Sequence, residues 1–237
     1  MQSLTRRSFL LAVPAGLAAC QTAGTVPAPT LAEAKAHRYR LPPPDVQALY
    51  GQVFDSGWTV PAVDLTVINP EFLRREQIYV SDEPAGTVVV DAAHHFLYFI
   101  QGNGWAIRYG IGVGREGFAW SGRATIQRKA KWPSWHPPVE MQARDERARK
   151  WAGGMPGGVD NPLGARAHYL YQNGRDTLYR IHGTSEPWTI GTNVSSGCIR
   201  MINQDVMDLY ERVPVGASVI VLDGSAALTA FANGSWF

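Results

Sequence analysis

Cysteine is almost absent from this chain: Cys20 and Cys198 are the two in 237 residues. At most one disulfide is available, and Cys20 lies in a segment that reads as an export signal. Cys198 is therefore expected to have no disulfide partner in the mature chain. Charge of one sign is also missing. Lys and Arg number 22 against 20 Asp and Glu, a net charge of +2, and Arg6 and Arg7 fall in the presumed signal. What remains is near neutrality, which removes the electrostatic case for nucleic acid or for a strongly anionic partner. Residues 11–19 are too short an apolar run to span a bilayer and contain Pro14 and Gly16. Among the histidines outside the later motif, His94, His95, His136 and His168 show no ligand spacing with Cys or carboxylates, so no metal site is expected. Gly114-Arg115-Glu116-Gly117 lacks the Lys-Ser/Thr ending of a phosphate cradle and reads as a turn. There is no internal repeat.

What is present is a globular composition, 45% hydrophobic, in a chain long enough for one substantial domain and a small extra region. Eight tryptophans, several in Pro- or Gly-rich loops, either line a groove or pack those loops down. The chain begins with Thr5-Arg6-Arg7-Ser8-Phe9-Leu10 and an apolar run, which resembles a twin-arginine export signal. Leu17-Ala18-Ala19-Cys20 resembles a bacterial lipobox, in which the cysteine is lipidated and the chain is cut before it. No Asp follows Cys20. The expectation is a signal peptide over 1–19, a lipid anchor on Cys20 and a tether over 20–38. The chain would then lie in the periplasm, attached to the outer membrane.

Residues 39–85 read as an appendage in which Asp45 caps a short helix bearing Val46, Leu49, Tyr50 and Val53. Residues 86–223 read as the main domain and 224–237 as a tail. Strands are expected at 87–91 and 95–100, then across a Gly102-Asn103-Gly104 turn at 105–109. Further strands are expected at 111–113, 124–128, 168–171, 178–181 and 218–222. His94 and His95 would face opposite sides of a strand. Residues 131–164 form a long insertion, with one solvated helix over 139–150 and aromatic, proline-rich flanks that favour an ordered lid. Residues 182–201 read as a loop, after which Asn203 caps a helix with Val206, Leu209, Tyr210 and Val213 on one face. Without a βαβ rhythm, this is a mainly β domain, a sandwich or curled sheet with one or two short helices and a long lid.

Chemistry gathers at Ile181-His182-Gly183-Thr184 and, sixteen positions after the histidine, at Ser195-Ser196-Gly197-Cys198-Ile199-Arg200-Met201. A thiol nucleophile needs a base, something to hold the base, and donors for an oxyanion. His182 ends a strand pattern and is the candidate base. Ser196 and Gly197 let the backbone turn tightly and aim N–H groups at developing charge. An ion pair with His182 would lower the Cys198 pKa below the free value of about 8.5. Spacing alone leaves a second reading open, an inert buried Cys beside a structural His.

These two motifs, with Gly191 between them and Asn161-Pro162-Leu163-Gly164 upstream, resemble the signature of the L,D-transpeptidase catalytic domain (YkuD-type) over roughly residues 86–222. The resemblance implies a β-sandwich with Cys and His in a cleft under a lid, acting on peptidoglycan stem peptides. It implies Cys198 as nucleophile, His182 as proton acceptor and donor, and the Gly183 carbonyl as the group that orients the imidazole. The N–H groups of Gly197 and Cys198 would serve the oxyanion, and Arg200 would hold the loop or a substrate carboxylate. It calls for no metal or organic cofactor. The acceptor stays open among a second stem peptide, a lysine of an outer-membrane protein, and water, which would make the chain an L,D-carboxypeptidase. A non-catalytic wall-binding lipoprotein is the alternative from another class.

Overall fold

The structure, a computed structural model, describes residues 30–36, 38–114, 120–194 and 198–223. The presumed signal, Cys20, Ser196, Gly197 and the tail lie outside the described residues.

A two-residue turn starts the sheet. Asn103 and Gly104 both have positive φ, 53° and 78°, the conformation that lets a tight turn follow strand twist. It joins β5 (Phe96–Gly102) to β6 (Trp105–Gly114) in antiparallel register. Around them lie β4 (Val88–Asp91), β7 (Gly122–Lys131), β8 (Arg166–Gln172), β9 (Arg175–His182), β11 (Ile199–Met201) and β12 (Ser218–Val221). Pairing runs β6–β11–β9–β8–β7–β12–β4–β5 and returns to β6, so the sheet closes on itself. β3 (Arg75–Ile78) and β10 (Asn193–Val194) also pair with β6. The mainly β, curled architecture read from the sequence is the observed one.

Apolar positions of alternate period from β4, β5, β6 and β9 form one core. Helix α5 (Asn203–Arg212) lays Val206 and Leu209 into it, followed by Val213 just past the helix. Strand ends extend further than sequence pattern indicates because pairing partners continue past the apolar stretch: β7 runs on to Lys131, opposite Arg166 of β8.

Several local expectations give way to specific competitors. The helix in 39–85 is α2 (Pro44–Ala48), with Pro43 rather than Asp45 as its N-cap and proline at its first position. The single helix expected over 139–150 is two, α3 (Val139–Arg144) and α4 (Glu146–Lys150). Asp145 breaks it by leaving the helical region, φ −129°, and accepting hydrogen bonds from the N–H groups of Arg147 and Ala148. His94 and His95 occupy the turn before β5, not a strand. His94 Nδ1 reaches Asp91 at 2.8 Å and His95 Nε2 reaches Asn193 Oδ1 at 3.1 Å.

Residues 39–85 pack against the main domain. Tyr50, Leu65, Val67, Ile68 and Leu73 share a core with Ile190 and Ile202. The hairpin of β1 (Val53–Asp55) and β2 (Trp58–Val60) contributes Asp55. Its carboxylate takes two hydrogen bonds of 2.9 Å from the buried Arg166 guanidinium and one of 2.7 Å from the Trp132 indole. Those bonds, Arg166 foremost, hold the Asp55 pKa down to about 2. Removing the carboxylate leaves a buried guanidinium without its partner, a loss of about 3 kcal/mol. Asp55→Ala is expected to lower the urea midpoint accordingly, while a change below 0.5 kcal/mol would show the pair to be energetically idle.

Candidate active site

The stretch read as a loop after His182 contains a strand, and that strand makes the site. β11 pairs parallel to β9 with Arg200 opposite His182 and Ile199 opposite Ile181. Ile181 and Ile199 enter the core, so by the two-residue period of a strand His182 and Arg200 face the other way. Cys198 directly precedes β11 and shares that face. All three line one cavity of about 620 Å³.

His182 is 4% exposed. Its Nδ1 donates to the Gly183 carbonyl at 2.6 Å, which leaves Nε2 with the lone pair. Burial drives its pKa down to about 3, the Arg200 and Arg180 charges push the same way, and the Gly183 bond opposes them. Burial therefore favours the neutral imidazole over the imidazolium. Arg200 is the cation beside the thiol: burial lowers its pKa, and attraction to Glu186 and to ionised Cys198 offsets this. Glu186 Oε2 accepts from Arg200 at 3.3 Å. Cys198 itself is half-buried.

The backbone at His182 is held from below. Asn203, read as the helix cap, is instead the first helical residue, and Ile202 occupies the cap position. Its side chain bridges two loops: Oδ1 accepts from Ala165 N–H at 2.9 Å and Nδ2 donates to the Thr184 carbonyl at 3.0 Å. Only glycine fits against it. A Cβ on Gly164 or Gly183 would lie 2.2 Å from Asn203 Oδ1. The Asn-Pro-Leu-Gly and His-Gly-Thr motifs are therefore two sides of one slot filled by Asn203.

The insertion forms a wall of the cavity through Trp135, His136, Met141, Pro162 and Leu163. Asn161, fully buried, ties it down: Nδ2 donates to the carbonyls of Pro133, Met155 and Pro156, and Oδ1 accepts from Leu163 N–H. The opposite wall carries Arg128, Tyr169 and Arg180, which sequence reading did not single out. One signal was available, since Arg180 precedes His182 by two residues and so shares its face of the strand.

A thiol and an imidazole of fixed tautomer lining one cavity, walled by an ordered insertion, are groups suited to acyl capture. A family model described as the L,D-transpeptidase catalytic domain (YkuD) matches residues 85–221. The chain belongs to the L,D-transpeptidase catalytic domain family. It is 34% identical over 166 residues to the probable L,D-transpeptidase YbiS of Escherichia coli (strain K12), covering 68% of this chain and 52% of that protein. The probable L,D-transpeptidase ErfK/SrfK of the same strain is likewise 34% identical over 166 residues, covering 68% and 51%. The chain spans about half the length of the curated relatives it matches. A solved structure described as a probable carnitine operon oxidoreductase from Brucella melitensis is 48% identical, covering 67% of this chain and 99% of that one, with a TM-score of 0.46.

Burial of a neutral His182 has a consequence for stability. Its folded pKa of about 3 lies below the roughly 6.5 of an unfolded histidine, so the unfolded chain takes up the proton first. The contribution is complete above about pH 6.5 and is lost as pH falls towards 3. Wild type is expected to lose about 2 kcal/mol more than His182→Asn between pH 7 and pH 5. Other groups, including the similarly buried His168 and the carboxyl of Asp205, are common to both proteins and cancel. Urea unfolding at the two pH values measures the difference; parallel losses would mean that His182 is already protonated.

Proposed function

We propose that this chain is an exported peptidoglycan L,D-transpeptidase in which Cys198 is the nucleophile and His182 the proton carrier. One observation carries the assignment: the β9–β11 register sets Cys198 and His182 on the same face of one cavity, with the imidazole tautomer set by Gly183. The substrate is the stem-peptide bond between the L-centre of a diamino acid and the terminal D-alanine.

Nε2 of His182 takes the thiol proton as Sγ adds to the carbonyl carbon. The tetrahedral intermediate collapses to a thioester, and the same proton leaves with the D-alanine amine. An acceptor amine then adds, His182 takes its proton, and the thiolate departs. Depressed basicity suits this cycle because the imidazolium exists only while a negative charge is beside it. Arg200 steadies the sulfur when ionised, and Glu186 holds Arg200 in place. The N–H groups of Gly197 and Cys198 serve the oxyanion, with Ser196 and Gly197 forming the turn that aims them. The acceptor amine comes from a second stem peptide or from a lysine of an outer-membrane protein. With water in its place the chain is an L,D-carboxypeptidase.

Export and anchoring belong to the same reading. The Arg6-Arg7 signal delivers the chain to the periplasm and acylated Cys20 holds it to the outer membrane, with the substrate in the adjacent wall.

Incubation with purified tetrapeptide stems, followed by mass analysis, tests the reaction. D-Alanine release and a thioester adduct on Cys198 are expected. Cys198→Ala should abolish both, and His182→Gln should lower kcat by roughly 10²- to 10⁴-fold. D-Alanine release that survives Cys198→Ala would overturn the assignment.

A further inference from the structure

The wall opposite the insertion is a row of aligned side chains. Arg128 of β7 lies opposite Tyr169 of β8, and Tyr169 lies opposite Arg180 of β9. Register irregularities make that alignment. One falls between Ile126 and Arg128, the other between Tyr169 and Tyr171, and both bring the three residues into one rank across the sheet. The guanidinium carbon of Arg128 stands 4.4 Å from the centre of the Tyr169 ring and that of Arg180 stands 4.5 Å from it. The ring thus orients two planar cations. The rank is one pleat from His182, about 7 Å along β9. The next rank holds Ala130, Ala167 and His182.

The two guanidinium groups differ in what holds them. Arg180 is engaged by Asp176 through bonds of 2.7 and 2.9 Å. Arg128 makes no ion pair among the described residues and reaches Asp176 only by longer-range attraction. It is exposed and lines the cavity. A stacked, oriented guanidinium with its donor edge open to a cavity matches a carboxylate. Leu178, also on the cavity wall, is 76% exposed with a positive φ of 64°, a conformation that costs a leucine energy. Its N–H is fixed by Asp176 Oδ1 at 2.9 Å, so the carboxylate that holds Arg180 also sets the lip of the shelf.

We propose that Arg128, supported by Tyr169 and Arg180, is the specificity-determining cation that binds a carboxylate of the acyl-donor peptide. This rests on the transpeptidase reading above and adds what the donor must carry, a free carboxylate placed to reach the Arg128 guanidinium while the peptide carbonyl lies at Cys198. Two groups of a stem peptide meet that requirement, the terminal D-alanine carboxylate and a carboxylate on the side chain of the diamino acid. Arg128 takes no part in bond making.

Calorimetric binding to the full chain tests this in a Cys198→Ala background, where turnover does not intervene. The probes are a tetrapeptide stem with both carboxylates free, one amidated at the D-alanine, and one amidated on the diamino-acid side chain. Amidation of one of the two should weaken binding about tenfold, the range of one charge-assisted hydrogen bond, and identifies the group that is read. Arg128→Gln should weaken binding of the free peptide by a similar factor and erase the amidation penalty, while Arg128→Lys keeps part of it. Equal affinity for all three peptides, or an unchanged penalty in Arg128→Gln, would overturn the proposal. The D-alanine release assay on wild type is a separate readout. If release fails while the binding pattern holds, the reaction assignment falls and the shelf remains.

Discussion

Three consecutive buried polar residues at the start of α5 tie the protein together, each bound to a different part of the chain. Asn203 spans the Gly164 and Gly183 loops. Gln204 donates to the carbonyls of Gly51 and Pro61 at 3.0 Å. Asp205 receives the Tyr50 hydroxyl at 3.2 Å and lies 3.7 Å from the Arg74 guanidinium. Polar groups without water must find partners inside the fold, so these side chains dictate where three loops pass. The first turn of α5 is thereby fixed from above by the site and from below by residues 39–85. Burial raises the Asp205 carboxyl to about 7, against the pull of Arg74 and the Tyr50 bond. The hub is held by hydrogen bonds more than by full charges.

This arrangement explains why the site is rigid where it needs to be. His182 ends β9, but a strand end by itself leaves the next carbonyl free to rotate. The Asn203 bridge ties the backbone just after Gly183 to Ala165, and the Gly183 carbonyl then fixes the imidazole. The parallel β9–β11 ladder supplies the other coordinate by setting Arg200 against His182 and bringing Cys198 to the edge of the same cavity. A one-residue slip in that ladder would turn Cys198 and Arg200 into the core, where Ile199 and Met201 now sit.

Strand pattern and motif spacing in the sequence were sufficient for the curled β architecture and the hairpin at Asn103-Gly104, and they singled out His182 and Cys198, which line one cavity. Features fixed by long-range partners were not legible there. Nothing local distinguishes Asn203 as a bridge from Asn203 as a cap, because both roles use a short polar side chain at a helix start. β11 was hidden because three residues are too few to show a period, and its partners are 18 or more positions away. The split between α3 and α4 turned on Asp145, whose capping bonds compete with helix continuation. Arg128 and Tyr169 reach the cavity only through irregular register in the β7–β8 and β8–β9 pairs, which no residue type announces.

The cavity combines a neutral base with a cationic surround, and the two conditions depend on each other. Arg128, Arg180 and Arg200 all face it, while Glu186 and Asp176 compensate only part of that charge. Burial is the main cause of the lowered His182 pKa; positive potential adds to it and favours every anion that enters or forms. Thiolate, tetrahedral oxyanion and substrate carboxylate are all anions. A fixed imidazolium would add one more cation, but it would have no capacity left to accept a proton. Keeping His182 neutral by burial and letting arginines carry the charge separates attraction from proton transfer. For the reaction proposed above, that division of labour assigns attraction to the arginines throughout the cycle and charges the histidine only while the sulfur or the substrate bears the compensating negative charge.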